Sequence, residues 1–566
     1  MSFRSFRSLR LRVFAPLRLK LLLLRNPYHM QDSTHTIMQS AKRFFSGTML
    51  SRISGMLRDM AMAYAFGTQE AIAAFLVAFR LSHLLRRLFG EGALQSAFIP
   101  QFESLRSTHP QRACGFFRDL TAWLVLGLTA VIIVIMGILG SIWAYADLSP
   151  GNAEIVFLTL LLMPSLLFIC LFGLNASLLQ CEKSYFTSGV APVAFNLIWI
   201  VGVICLWHKS PTAAMPWLAA WVIVACLAQW LITVPRAWRI LKSHEVGFWS
   251  NLKLHSSDIK GLSIPLFLGI IGVAATQVNN ALDAIFARYA DAEGPALLWY
   301  ALRIQQLPLA LFGVAISGAL LPPLTRALKD NDFLRYRSFL QFALKRSIAL
   351  MLPITVGLFI MGDTCIALLY GRGDFDVHSI SGTTRCLWGY NIGLIPMALV
   401  LILAPAFYAQ KNPRTPATAS VICVVLNVSL NTLLIAFLGL GAASVAVATS
   451  ISAWVNFGIL AYALTEMKEI VNRSLILEIG KVFLASGMAC IAVLVLDLSF
   501  HGSMGSTAWL ILNAKNPQYS EGFIALLMHL MGQGACFIGT LWGMAKLLDA
   551  RDILDLIPRK RPVESQ

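Results

Sequence analysis

Ala78-Phe79-Arg80-Leu81, followed by Leu88-Phe89-Gly90 and then Pro100, recurs as Ala301-Leu302-Arg303-Ile304, Leu311-Phe312-Gly313 and Pro323. Every equivalence has the same offset of 223 residues, which marks a duplicated unit rather than chance similarity. Both copies lie in apolar stretches long enough to span a bilayer, for which about 20 residues suffice. Working outward from them, fourteen helical segments are expected, near 40–64, 70–98, 118–146, 153–181, 187–207, 216–238, 260–289, 296–324, 338–369, 380–408, 416–437, 442–466, 475–499 and 521–548. The copies are then the second and eighth segments, an interval of six. Both run in the same direction, so the repeat is parallel with its axis along the membrane normal.

The expected fold is therefore an all-α polytopic membrane protein of about 14 transmembrane helices, with two six-helix lobes and two extra C-terminal helices. The divisions are a basic N-terminal arm (1–37), lobes at 38–240 and 258–466, the extra pair at 475–548 and a tail at 549–566. Composition agrees: 57% of the 566 residues are hydrophobic and 13% charged, about half the charged share of a soluble domain. A transmembrane barrel would show short alternating segments instead.

The net charge of +17 suggests nucleic acid until its distribution is read. Loops on one side hold few cations (Lys209, Arg288, Arg372 and Lys515), whereas the alternate loops are rich in them, for example Arg106, Arg112, Arg236, Lys329, Arg335 and Lys411. That is the bias of membrane topology, and it puts both termini in the cytoplasm. No nucleic-acid role is expected. The arm carries seven Lys and Arg against one acid, Asp32; it reads as a disordered basic segment on anionic headgroups, and Met38 begins a conventional first helix. The ten cysteines form no CxxC and read as small buried hydrophobes.

Charge inside the apolar segments is the functional signal. Arg52, Arg58, Arg80, Arg86 and Arg87 fall within or at the rim of the first two, and only Asp59 and Glu91 lie near enough in sequence to offset them. A charge at mid-bilayer costs about 2.5–3.5 kcal/mol on insertion scales. Such an excess is tolerable where helices line a watery cavity that receives an anion. Arg80 and Arg87 share a helix face, as do Arg52 and Asp59. Arg303, in the second copy, has no acid within a helical turn. The competing reading is salt bridging, of Arg87 with Glu91 four residues on and of Arg58 with an acid nearby. A guanidinium fork binds pairs of phosphate oxygens and stays charged, so a diphosphate headgroup suits the cluster.

A second set is rich in oxygen. Asp283 is the lone acid inside the seventh segment, without a basic residue nearby in sequence; Asn427 and Asn431 are four apart on the eleventh, and Thr449 is on the twelfth. These donors suit a hard cation such as Na⁺. Protonation of Asp283, and ordinary hydrogen bonding between helices, are the alternatives. No GxxxxGK[ST], HExxH or Ser/His/Asp context is present. The outer loops are poor in the carboxylates that a polyprenyl-phosphate glycosyltransferase needs, so no enzyme activity is expected. Arg372-Gly373-Asp374 reads as a turn.

Ser51-Arg52-Ile53-Ser54-Gly55-Met56-Leu57-Arg58-Asp59 and Leu84-Leu85-Arg86-Arg87-Leu88-Phe89-Gly90-Glu91-Gly92-Ala93 resemble the MurJ/MviN family of lipid II flippases. Ala404-Pro405-Ala406-Phe407-Tyr408, Thr415-Pro416 and Phe66-Gly67 resemble it too. The resemblance spans about 38–550. It implies a flippase of the multidrug/oligosaccharidyl-lipid/polysaccharide exporter superfamily in the bacterial cytoplasmic membrane. It implies that the chain moves the undecaprenyl-diphosphate precursor of peptidoglycan and works as a monomer among membrane lipids. It implies that Arg52, Arg58, Arg86 and Arg303 are cavity arginines, with Glu91 a matching acid. Asp283, Asn427, Asn431 and Thr449 resemble a sodium site of some members, and no other cofactor is implied. The last two helices would form a groove for the lipid tail. Three positions depart from the family pattern, with Ala73, Leu302 and Gln306 where acids are usual. The alternatives are a flippase for another polyprenyl-linked glycan and a cation-coupled drug exporter, which would place acids rather than arginines in its cavity.

Overall fold

The computed structural model describes residues 34–89, 92–182, 184–247, 252, 257–310, 314–439, 441–501 and 522–554. Most of the expected N-terminal arm, most of the C-terminal tail, Glu91, Lys515 and Leu311-Phe312-Gly313 lie outside them. All the regular structure described is helical. The first lobe comprises α1 (Thr34–Phe66), α2 (Glu70–Phe89), α3 (Ala93–Thr108), α4 (Pro110–Tyr145), α5 (Pro150–Leu162), α6 (Ser165–Cys181), α7 (Tyr185–Leu206) and α8 (Pro211–Ser243). There follow α9 (Ser257–Ala290), α10 (Gly294–Pro308), α11 (Val314–Lys329), α12 (Phe333–Tyr370), α13 (Val377–Asn391), α14 (Leu394–Ala409), α15 (Arg414–Leu438) and α16 (Ala443–Ala463). After the short α17 (Met467–Ile470) come α18 (Arg473–His501), α19 (Phe523–Leu547) and the short α20 (Arg551–Leu554).

Each of the fourteen expected segments has a helical counterpart, but among the described residues three are interrupted rather than continuous. The second is interrupted at Gly92, with φ +98°, the fourth at Met163 and Pro164, and the tenth at Ile392 and Gly393, while residues 311–313 of the eighth lie outside the described residues. The fourth bends by 46° and the tenth by 40°. Proline removes a backbone donor and crowds the preceding turn, which accounts for the break at Pro164. The bends in segments four and ten stand six segments apart, as the repeated residues do. The duplication therefore shows in helix geometry as well as in residues.

Among the described residues, eight helices are long and apolar enough to cross a membrane, or ten if each bent pair is one span. Four helices, α1, α2, α9 and α10, hold the charged residues singled out in the sequence. They carry Arg52, Arg58, Asp59, Arg80, Arg86, Asp283 and Arg303. These four helices meet at the centre, where α9 and α10 of the second lobe pack against α2. The apolar helices surround them, and α18 and α19 pack on each other and on α12.

Close backbone approach sets the site on the second-lobe side. A Cβ at Gly389 of α13 would lie 2.8 Å from Ala446 Cβ of α16, so glycine lets the two helices close, as small residues do between membrane helices. Ser450 Oγ then donates to the Gly389 carbonyl at 2.6 Å. The result holds Tyr390 and Thr449 on one cavity.

Candidate functional site

A cavity of about 410 Å³ lies between the lobes. Phe79, Arg80, His83 and Arg86 line it from α2, Gln277, Asn280 and Asp283 from α9, and Trp299, Leu302, Arg303, Gln305 and Gln306 from α10; Tyr390, Met397 and Thr449 close it.

Its organising group is the Asp59 carboxylate, which is 2% exposed. Arg58 Nη2 meets Asp59 Oδ1 at 2.7 Å and Arg303 Nε meets Oδ2 at 3.0 Å. One carboxylate thus joins an arginine of the first lobe to one of the second. Arg58 also donates to Asn196 Oδ1 of α7 at 3.0 Å and sits 4.8 Å from the centroid of Trp199. Arg303 lies 4.3 Å, and Arg80 5.5 Å, from the centroid of Trp299. Trp299 donates its indole N–H to Asp59 Oδ1 at 3.4 Å. His83 turns Nδ1 toward the Phe79 carbonyl at 3.0 Å.

Of the expected arginines, Arg80, Arg86 and Arg303 border the cavity, and Arg58 stands behind it through Asp59. Arg52 is on the exposed face of α1, with no ion pair among the described residues. Arg87 lies on α2, with its side chain outside the description, as is Glu91; their pairing stays an expectation. Arg303 has no acid within a turn of its own helix, and Asp59 supplies one from another helix. Salt bridging, the competing reading for Arg58, is what Arg58 does, although the shared carboxylate leaves the cluster positive. Asp59 was legible as a partner but not as the hub. A carboxylate inside a membrane segment points to a site by default, and Trp299, four residues before Arg303, lies on the same helix face.

The oxygen-rich set also converges. Asp283 Oδ1 accepts from Asn427 Nδ2 at 2.9 Å and from Asn431 Nδ2 at 3.2 Å. Oδ2 accepts from Thr449 Oγ1 at 3.4 Å and from Asn279 Nδ2 at 3.3 Å. Asn279, one turn before Asp283, was not anticipated. The sequence showed no base near Asp283, but Arg80 borders the same cavity and lies within electrostatic reach of it, which corrects that reading. The donors fit a hard monovalent cation. Asn431 Oδ1 is buried without a hydrogen-bond partner, and an amide turned half a revolution offers oxygen in place of nitrogen.

Away from the cavity lining, the α1–α2 turn of the first lobe meets the α12–α13 turn of the second. Gly67 and Gly373 have φ of +62° and +64°, and a Cβ on Gly67 would overlap the Asp374 carbonyl while one on Gly373 would overlap that of Tyr64. The Asp374 amide donates to the Tyr64 carbonyl at 3.0 Å. Thr68 Oγ1 bonds Glu293 Oε2 at 2.7 Å and Ser379 Oγ at 2.8 Å. Glu70 pairs with Arg288. Elsewhere, Arg112 of α4 forks onto Asp258 of α9 at 2.9 and 2.7 Å. This pair is solvent-exposed, and the hydrogen bond to Asp258 raises the Arg112 pKa further.

The family described as "Lipid II flippase MurJ" matches residues 62–513. The chain belongs to that family. A Chlamydia pneumoniae protein named "Probable lipid II flippase MurJ" is 31% identical over 529 residues, covering 93% of this chain and 95% of that protein. The "Lipid II flippase MurJ" of Burkholderia cenocepacia is 29% identical over 383 residues, 66% of this chain and 73% of its own. Among solved structures, a lipid II flippase MurJ in an inward closed conformation matches with a TM-score of 0.67 at 21% identity, covering 88% of this chain and 99% of that one. An inward-facing multidrug transporter of the MATE family matches with a TM-score of 0.60 at 12% identity, over 76% of this chain. These two likenesses concern the fold.

Proposed function

We propose that this chain flips lipid II from the inner to the outer leaflet of the bacterial cytoplasmic membrane, by alternating access, for cell-wall synthesis. One observation carries the reading: Asp59 joins Arg58 and Arg303 across the lobes, beside a cavity bordered by Arg80, Arg86 and Arg303. A diphosphate competes with Asp59 for the same guanidinium groups. In the resting state the carboxylate keeps those charges from standing unpaired in the membrane. When the headgroup enters, its oxygens take over the forks, and the bond that ties the lobes together is released.

A drug exporter for cations is disfavoured by the same charges. Leu302 and Gln306 line the cavity where the family pattern has acids, so Asp59 is the carboxylate paired with Arg303. Both termini are cytoplasmic, which makes the end with the Gly67 and Gly373 turns the outer one. In this reading the two six-helix lobes rock about the cavity, closing the outer end in one half of the cycle, and α18 and α19 hold the lipid tail. Asp283, with Asn279, Asn427, Asn431 and Thr449, would hold a sodium ion, whose charge would offset the Asp283 carboxylate.

The test is depletion of the native flippase in cells carrying this chain, with labelled lipid II accessible at the outer leaflet as readout. Accessibility should be maintained by the wild-type chain and lost with Arg303→Ala. Loss of accessibility despite a correctly inserted wild-type chain would point to another polyprenyl-linked glycan.

A further inference from the structure

Trp299 lies at the meeting point of two cations from different lobes. Arg80 comes from α2 and Arg303 from α10, and both guanidinium groups lie over the same indole, at 5.5 and 4.3 Å from its centroid. Trp299 and Arg303 are four apart and so share a helix face. The indole is itself held in place, with its N–H on Asp59 at 3.4 Å and Phe79 edge-on at 5.9 Å. Arg303 has Asp59 on Nε and is 37% exposed, so its two terminal amino groups remain for a ligand. Arg80 has neither a hydrogen bond nor an ion pair among the described residues; the ring is its close contact.

Two like charges drawn toward one ring repel each other, and a π face offsets part of that cost, more so where water is excluded. A ring that keeps both forks at one place favours an anion with two linked phosphates, each meeting a fork, over an anion with one.

We propose that Trp299 is a positioning residue that holds Arg80 and Arg303 together, so that the cavity takes a polyprenyl diphosphate in preference to the monophosphate. This rests on the flippase reading and deepens it. The probes are undecaprenyl diphosphate and undecaprenyl phosphate, with the full-length protein in nanodiscs and binding read by native mass spectrometry. The wild-type protein should bind the diphosphate at least about tenfold more tightly, about 1.4 kcal/mol. Trp299→Leu should bring diphosphate affinity down to the monophosphate level and leave monophosphate affinity unchanged. Trp299→Phe, which keeps a ring, should retain most of the preference. A merely structural role would weaken both ligands alike and would not be rescued by Phe. The proposal is overturned if Trp299→Leu keeps the preference, or if Phe and Leu behave the same. Should Trp299→Leu fail to fold, Arg80→Gln serves in its place and must lose the preference while Arg303 still binds the monophosphate. A wild-type protein that binds neither lipid overturns the flippase reading, and this proposal with it.

Discussion

A single carboxylate carries two arginines here, and the consequences are asymmetric. Removing one partner of a buried ion pair leaves a buried charge, at a cost of about 3–5 kcal/mol. Arg58 and Asp59 have side chains 8% and 3% exposed, so Asp59→Asn should lower thermal stability in detergent as well as transport. Arg303, which is 37% exposed, can turn to water. Arg303→Ala should therefore abolish lipid II flipping while leaving the melting temperature nearly unchanged, and Arg303→Lys should restore only part, because it keeps the charge but not the fork. A fall in stability for Arg303→Ala equal to that of Asp59→Asn would contradict this division of roles. At Asp283 the expected behaviour is ionic. Sodium should stabilise the purified protein over potassium at constant ionic strength, and Asp283→Asn should remove the difference. If the carboxyl is protonated instead, melting will depend on pH and be indifferent to sodium.

At the scale of elements, the contact between the α1–α2 turn and the α12–α13 turn is made by main-chain atoms at Gly67 and Gly373, with Thr68 adding side-chain bonds beside it. A side chain at φ near +60° costs about 1–2 kcal/mol in itself, and at Gly373 its Cβ would also strike the Tyr64 carbonyl. Gly373→Ala should thus disfavour this contact. A cysteine at Gln306, inside the cavity, should then be labelled faster from outside by an impermeant maleimide than in the parent protein; equal labelling would show that the contact tolerates the change. The sequence displayed Arg372-Gly373-Asp374 as a turn but gave no sign that it grips Phe66-Gly67, because that contact is between backbones 300 residues apart in the chain and has no side-chain signature. The helix breaks were hidden for a related reason: apolar periodicity carries across a kink, and only Pro164 announced one.

At the scale of the molecule, a disulfide between Thr68→Cys and Ser379→Cys, whose hydroxyls are 2.8 Å apart, should lock the two lobes at the outer end and stop turnover until reduced. Flipping that persisted in a fully cross-linked protein would rule out rocking. The lobe architecture was readable because duplication and charge alternation are linear properties of the chain. So was the convergence of Asp283, Asn427, Asn431 and Thr449, which meet in one hydrogen-bonded cluster. What could not be read was which arginine faces which acid, since Arg58 and Arg303 meet on Asp59 only through the crossing of helices α1 and α10.

The polarity of the central helices bears on how the chain is made. α1 and α2 fall outside the set apolar enough to cross a membrane by themselves, and both precede the second lobe in the chain. They precede by some 200 residues the partners, Arg303 and Trp299, that complete their charge pairing. During synthesis the first lobe must therefore wait with Arg80 lacking Trp299 and Asp59 lacking Arg303 until the second lobe arrives. A chain halted after α8 would be a ready substrate for membrane quality control, and production of this protein should depend more on insertase capacity than its mean hydropathy of +0.70 suggests.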